Sequence, residues 1–447
     1  MTMECCLNDK TGGCSCFFDD AVNQPLADAE VWDSIIVGGG PAGASAACLL
    51  AQEGRKVLVL EKDAFPRYHI GESMIPYCWH PLERIGMNEK LAQSGFTKKH
   101  SVQFVSPDGD ASVPFYFSKH MDHPSAQTWQ VERGVFDRML LCHAAQSGAT
   151  VRKEVTVKEI LTEDGVTVGV RAEMPDGRLK EFRAPITIDA TGRDALAQSR
   201  NKWRRNDPVL KKIALWTYVK GAKRDEGLDE GATTVAYVEH KNWFWWIPLS
   251  NDIVSVGIVG DKDYFFDEGR DLQKIFDREI EKNAWVKDHI APGEQIEAVR
   301  ATGDYSYRSE YCAADGLVLA GDAFAFLDPV FSSGLFLALY SGVEAGNAVH
   351  QALESGDVSA AHFAEYGEKF RDAIEGMRKL VYAFYNENFS FGDVIKKYPE
   401  LRSDLTNCLI GNTEVDYDPL FAAVREFADV PDPVPHGKPL VAAEAIP

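Results

Sequence analysis

The chain has 447 residues, too many for a single hydrophobic core, so two or more domains are expected. Its 68 Asp and Glu against 47 Lys and Arg leave a net charge of −21, which argues against nucleic acid or an anionic membrane surface as a partner. No apolar run reaches the roughly 18 residues of a spanning helix, the longest being broken by Asp322 and Asp328, and no basic stretch with an apolar core opens the chain; a cytoplasmic enzyme is expected.

In chain order, residues 1–29 read as a flexible extension in which Cys5, Cys6, Cys14 and Cys16 crowd together without the paired spacing of a zinc site. An apolar strand from Trp32 then runs into Gly38-Gly-Gly40-Pro-Ala42-Gly43 and an alanine-rich helix. Gly38 permits the tight turn, Gly40 lets the backbone approach a pyrophosphate, and Gly43 allows close packing of helix on strand, with the helix N-terminus aimed at the phosphates. A second strand, Arg55 to Glu61, ends in an acid 18 residues after Gly43, where a ribose ligand is expected, and Lys62 follows it. Strand, turn, helix, strand and acid together predict a dinucleotide site.

The loop Phe65-Pro-Arg67-Tyr-His-Ile-Gly71-Glu-Ser73 comes next, and then Lys98 and Lys99 at a helix-to-strand junction, where alternation sends them to opposite faces. Val131-Glu-Arg133-Gly-Val-Phe-Asp137 reads by itself as an Arg–Asp pair at a helix start; Asp189-Ala-Thr-Gly192-Arg193 closes another apolar strand. Trp243-Phe-Trp245-Trp-Ile247-Pro248, alone, is an aromatic core strand. Gly316-Leu-Val-Leu-Ala-Gly321-Asp322 is a strand delivering Gly-Asp, and Asp328-Pro-Val-Phe331-Ser332-Ser333-Gly334 reads by itself as a helix N-cap. A discontinuous binding domain over 30–98, 128–195 and 301–350 is expected from the resemblance set out below, under which the fingerprint, the Arg133 segment, the Asp189 loop and the Asp322 turn meet one cofactor. The β-rich stretches 99–127 and 196–300 suit a substrate domain, and 351–447 a helical region with a Pro-rich tail from Val430.

From residue 31 to 412 the combination resembles the flavin-dependent halogenases, which use reduced FAD, oxygen and a halide to place chlorine or bromine on an electron-rich aromatic ring. The resemblance implies an α/β fold: a Rossmann-like FAD domain of the aromatic-hydroxylase type, an inserted β-sheet substrate domain and a helical C-terminal region. It places Arg133 at the flavin ribose and pyrophosphate, Asp322 on the ribityl chain, Gly192 and Gly321 in the phosphate-side and ribityl loops, and Arg67 and Ser73 against the flavin. It implies a halide site from the Ser333 hydroxyl and backbone N–H groups at Gly334. Lys99, five residues ahead of Phe104 on one strand, would be the essential lysine, with Trp243, Trp245 and Ile247 filling the space between flavin and substrate. Phe331 stands where tryptophan halogenases carry Glu, which implies a phenol or pyrrole, free or tethered to an acyl carrier protein. Halide would attack a flavin C4a-hydroperoxide, and the hypohalous acid would cross to Lys99, which hydrogen-bonds it or carries it as a haloamine. A single dinucleotide fingerprint implies a separate flavin reductase supplying FADH2. An aromatic hydroxylase, a prenyl-lipid reductase or a non-catalytic flavin-binding protein would share the FAD motifs.

Overall fold

The computed structural model describes residues 31–267, 269–303 and 306–441. The expected cysteine-containing extension lies outside the described residues.

The strand Ser34–Val37 is apolar after Ser34, whose hydroxyl donates to the Ile186 carbonyl at 3.2 Å, because it lies inside a sheet covered on both faces; all four residues are buried. It is an interior strand of a seven-stranded sheet in the order Thr150–Arg152, Val57–Leu60, Ser34–Val37, Ile186–Asp189, Leu317–Leu319, Tyr311–Ala314 and Lys438–Pro439. The first five run parallel. Three stretches of distant sequence are thereby brought to one strand end, as the sequence requires for one cofactor. The helix Pro41–Gln52 packs against the long helix Ser333–Ser355, and glycines set their spacing: a Cβ on Gly342 would lie 2.3 Å from the Ala42 carbonyl oxygen.

The second large sheet has eight strands, with Lys212–Lys220, Ile253–Asp261, Trp243–Pro248 and Thr233–Tyr237 antiparallel at its centre and Ser101–Val105 parallel to the last of these. Alternation along Trp243–Pro248 divides two cores. Trp243, Trp245 and Ile247 face the C-terminal helices, including Ala364–Tyr385, whereas Phe244 and Trp246 face the helices Leu272–Ile280 and Ala284–Ile290.

Two expected boundaries need correction. Arg300–Gly303 pairs with Lys212–Lys220 in the second sheet, so residues 301–303, assigned to the binding domain, go with the 196–300 stretch. The tail, read as part of the helical region, supplies Lys438–Pro439 to the edge of the first sheet, where proline is tolerated because an edge strand leaves one side unpaired. Lys99 and Phe104 also do not share a strand. Thr97–Lys99 pairs with Thr128–Gln130, and after His100 the chain starts afresh as Ser101–Val105, beside Thr233–Tyr237.

Candidate active site

A cavity of about 390 Å³ runs from the C-terminal ends of the parallel strands to the face of the tryptophan strand. Its outer end is built by the glycine turn. Gly38, with φ +104°, carries no side chain because a Cβ there would lie 2.3 Å from the Ala190 carbonyl oxygen. At Gly40 a Cβ would meet only the Arg67 guanidinium, 3.2 Å away, so the backbone is bare on the cavity side. Glu61, 4 % exposed, accepts from the Gly39 amide at 2.6 Å and from the Asp63 amide at 2.8 Å. Lys62 is ion-paired with Asp194, whose hydrogen bond raises the lysine pKa. Gly38, Gly40, Ala42, Glu61, Lys62 and Gly192 all line this end. Gly43 and Gly321 lie behind it as packing glycines: a Cβ on Gly43 would stand 2.0 Å from the Gly38 carbonyl oxygen, and one on Gly321 2.8 Å from Ala42 Cβ.

The middle is held by two arginines. Arg133 grips Asp137 at 2.8 and 2.9 Å and the Ile70 and Gly71 carbonyls at 2.9 and 3.1 Å, while Arg67 approaches Asp137 at 3.1 Å. Arg133 therefore both faces the cavity and pins the 65–73 loop to the helix Arg133–Gln146, so the Arg–Asp pair and the site assignment are one arrangement. Asp322 also faces the cavity, and burial pushes its carboxyl up to about 6 against the pull of Arg133 and Arg193.

The inner end is formed by Trp243, Trp245, Ile247, Thr233, Ser332 and Gly334. Asp328 ties its parts together. It accepts from the Val330 amide at 3.1 Å and the Tyr385 hydroxyl at 2.9 Å, and Tyr385 accepts from Trp243 Nε1 at 3.0 Å. The turn, the C-terminal helix and the tryptophan strand are joined through one tyrosine, which sequence reading missed because Asp328 and Tyr385 are 57 residues apart.

The expected halide residue Ser333 does not line the cavity. Its neighbours Ser332 and Gly334 do, because Ser332 takes a left-handed conformation, φ +55°, and turns the chain before the helix. Phe331 is likewise behind the wall, packed edge-on to Phe384 and Phe391.

Lys99 is 1 % exposed and lies off the cavity, behind Ser73. Its Nζ donates to Ser73 Oγ at 2.9 Å and to the Met74 carbonyl at 3.1 Å, and the Phe117 ring lies 5.7 Å away. Ser73 lines the cavity and bonds Thr233 at 2.9 Å. Burial lowers the Lys99 pKa to about 7. Lys98 is exposed, as alternation requires.

These features fit FAD: a bare glycine nest and a buried acid for the adenosine half, half-buried Asp322 for the chain between the rings, and an aromatic-walled end for the flavin. Fold and site together define an FAD-binding flavoprotein. The chain matches the FAD binding domain family over residues 31–378. It is 30 % identical over 404 residues to a 1H-pyrrole-2-carbonyl-[peptidyl-carrier protein] chlorinase of Pseudomonas fluorescens, covering 85 % of this chain and 89 % of that one. Similarity to the corresponding brominase of Pseudoalteromonas luteoviolacea is also 30 %, covering 86 % and 93 %. The solved flavin-dependent brominase Bmp2 superposes with a TM-score of 0.80 at 27 % identity, covering 89 % of this chain and 98 % of its own. The chain belongs to the flavin-dependent halogenases, within the FAD-binding flavoproteins.

Proposed function

We propose that the chain halogenates an electron-rich pyrrole or phenol, free or tethered to a carrier protein, with FADH2 supplied by a separate reductase. Bound FADH2 with oxygen and halide supplies hypohalous acid at the inner end of the cavity. The observation that carries the reading is the position of Lys99: buried, one side chain beyond the tryptophan-walled end, and joined to it through Ser73. Lys99 holds the hypohalous acid on the substrate side, and its N–H donors polarise the O–X bond. Trp243, Trp245 and Ile247 keep the aromatic substrate away from the flavin. Backbone N–H groups at the start of Ser333–Ser355, beside Ser332 and Gly334, hold the halide. The two carrier-protein halogenases among the relatives, with Phe331 in place of the tryptophan halogenases' Glu, favour a tethered pyrrole.

The test is an assay of purified chain with chemically reduced FAD, oxygen and bromide or chloride against pyrrole-2-carbonyl carrier protein, free pyrroles, phenols and tryptophan, read by mass spectrometry. A halogenated pyrrole or phenol is expected, and no product when NADH alone replaces reduced FAD. Hydroxylated product without halogen, or tryptophan as the preferred substrate, would refute the assignment.

Gly334→Val tests the halide site. The Cβ has room, since only Phe326 lies near at 3.6 Å, so the fold should persist while the branched side chain blocks the amides. Loss of one anion donor is worth about 1–3 kcal/mol, so the bromide concentration for half-maximal rate should rise about 10- to 100-fold. Unchanged bromide dependence with FAD bound would place the halide elsewhere.

A further inference from the structure

At the inner end of the cavity, between Gly71 and Ser73, stands a carboxylic acid with no role in the scheme above. Glu72 is 3 % exposed and lines the cavity; its Oε2 has no hydrogen-bond partner. Its Oε1 accepts from the Tyr218 hydroxyl at 2.7 Å. The Tyr218 oxygen lies 3.3 Å from that of Tyr68, which is 43 % exposed, with its ring 4.1 Å from the Arg300 guanidinium at the surface. Tyr218 has one hydroxyl hydrogen, which it gives to Glu72 in the shorter bond or to the Tyr68 oxygen in the longer one. Trp216 Nε1 donates to the same Tyr68 oxygen and holds it in place. The three groups therefore stand in one hydrogen-bonded line from solvent through Tyr68 and Tyr218 to Glu72.

We propose that Tyr68, Tyr218 and Glu72 form a proton path from solvent to the flavin end of the cavity, with Glu72 handing over the proton. The proposal rests on the halogenase reading. Formation of hypohalous acid from halide, oxygen and reduced flavin breaks the O–O bond and passes two electrons from the flavin and two from the halide to oxygen. One oxygen joins the halogen and the other leaves as water. The hydrogens of FADH2 do not suffice for both products, and one further proton must enter. Trp243, Trp245, Ile247 and Leu335 make the wall there largely apolar beside Thr233 and Ser332, and Glu72 stands on it as a fixed acid that can deliver the proton.

The surroundings of Glu72 suit a group that loads and unloads at physiological pH. Burial pushes its carboxyl up to about 7; the Ser255 and Tyr218 hydroxyls and Arg133 oppose the rise, and Glu132 adds to it. Ser255 also accepts from Trp245 Nε1 at 3.1 Å, which holds the tryptophan strand beside the acid.

Two variants of the full chain, Glu72→Gln and Tyr218→Phe, test the path. Infrared difference spectra of the flavin-free protein should show a protonated-carboxyl band that titrates near pH 7 and is missing in Glu72→Gln. With reduced FAD and bromide, hypobromite trapped by a soluble scavenger dye should fall about 100-fold in Glu72→Gln, the size expected for a lost acid, with flavin oxidation diverted to hydrogen peroxide. Tyr218→Phe should change it in the same direction while keeping the carboxyl band. FAD affinity should be unchanged in both. Wild-type hypobromite yield in Glu72→Gln, or weakened FAD binding in both variants with peroxide yield unaltered, would overturn the proposal. The infrared titration needs neither flavin nor halide: a carboxyl that does not titrate there sinks the path even in a chain that halogenates, whereas failure of the wild-type chain to halogenate, with the band present, sinks the reading on which it rests.

Discussion

Lys99→Ala is expected to lower aromatic halogenation about 100-fold or more while hypohalite formation and FAD binding stay near wild type. The separation follows from the geometry: the flavin end of the cavity is complete without Lys99, which stands behind Ser73. Because alanine at this buried position also leaves a cavity, Lys99→Met, which removes the same donor at similar volume, is the companion variant, and it should lose halogenation equally. Lys98→Ala should change little, since Lys98 is exposed. The pH dependence carries a sign. Burial lowers the Lys99 pKa to about 7, so the ammonium form prevails below that pH and the neutral amine above it. Two acceptors and the Phe117 ring surround Nζ, an arrangement for a cation, so product formed per hypohalite made should fall as pH rises through about 7. A rise instead would assign the neutral amine and a haloamine. Full activity of Lys99→Met, or loss of flavin oxidation in it, would remove Lys99 from the chemistry.

The second large effect separates two glycines three residues apart. Gly43→Ala puts a Cβ 2.0 Å from the Gly38 carbonyl oxygen, which is backbone and cannot swing aside. Overpacking of this kind costs about 1–3 kcal/mol or more, so the flavin-free protein should melt several degrees lower. Gly40→Ala meets only the flexible end of Arg67. Its melting temperature should remain within a degree or two of wild type while FAD affinity falls at least about tenfold, the equivalent of about 1.4 kcal/mol, because the methyl occupies the face the pyrophosphate needs. Equal FAD affinity in Gly40→Ala and wild type would mean that the phosphates approach another part of the turn.

How much was legible beforehand depended on whether a contact is local. The glycine turn and the acid at Glu61 could be read because each is a short segment whose task follows from its own backbone, whereas the tryptophan strand, alone an aromatic core strand, took its expected role, and the chain its fold, from the family resemblance. Alternation alone assigned Lys98 and Lys99 to opposite faces, and that assignment held because a three-residue strand suffices for it. Extending the same strand to Phe104 failed, since pairing with Thr128–Gln130 on one side and Thr233–Tyr237 on the other breaks the chain at His100. Ser333, expected to face the cavity, lies off it for a related reason: which of two adjacent serines lines the wall depends on one left-handed residue, and serine does not announce that conformation.

The sequence by itself determined a dinucleotide site and the residue types around it, because these follow from glycine spacing and motif, and the family resemblance supplied FAD as the dinucleotide. Only the tertiary structure decided that Lys99 is buried behind Ser73, that Tyr385 joins Asp328 to Trp243, and that Tyr218 reaches Glu72 across 146 residues of chain. Each of these depends on which strands lie beside which, and sheet pairing between distant segments is a property of the packed molecule that leaves no trace in local sequence.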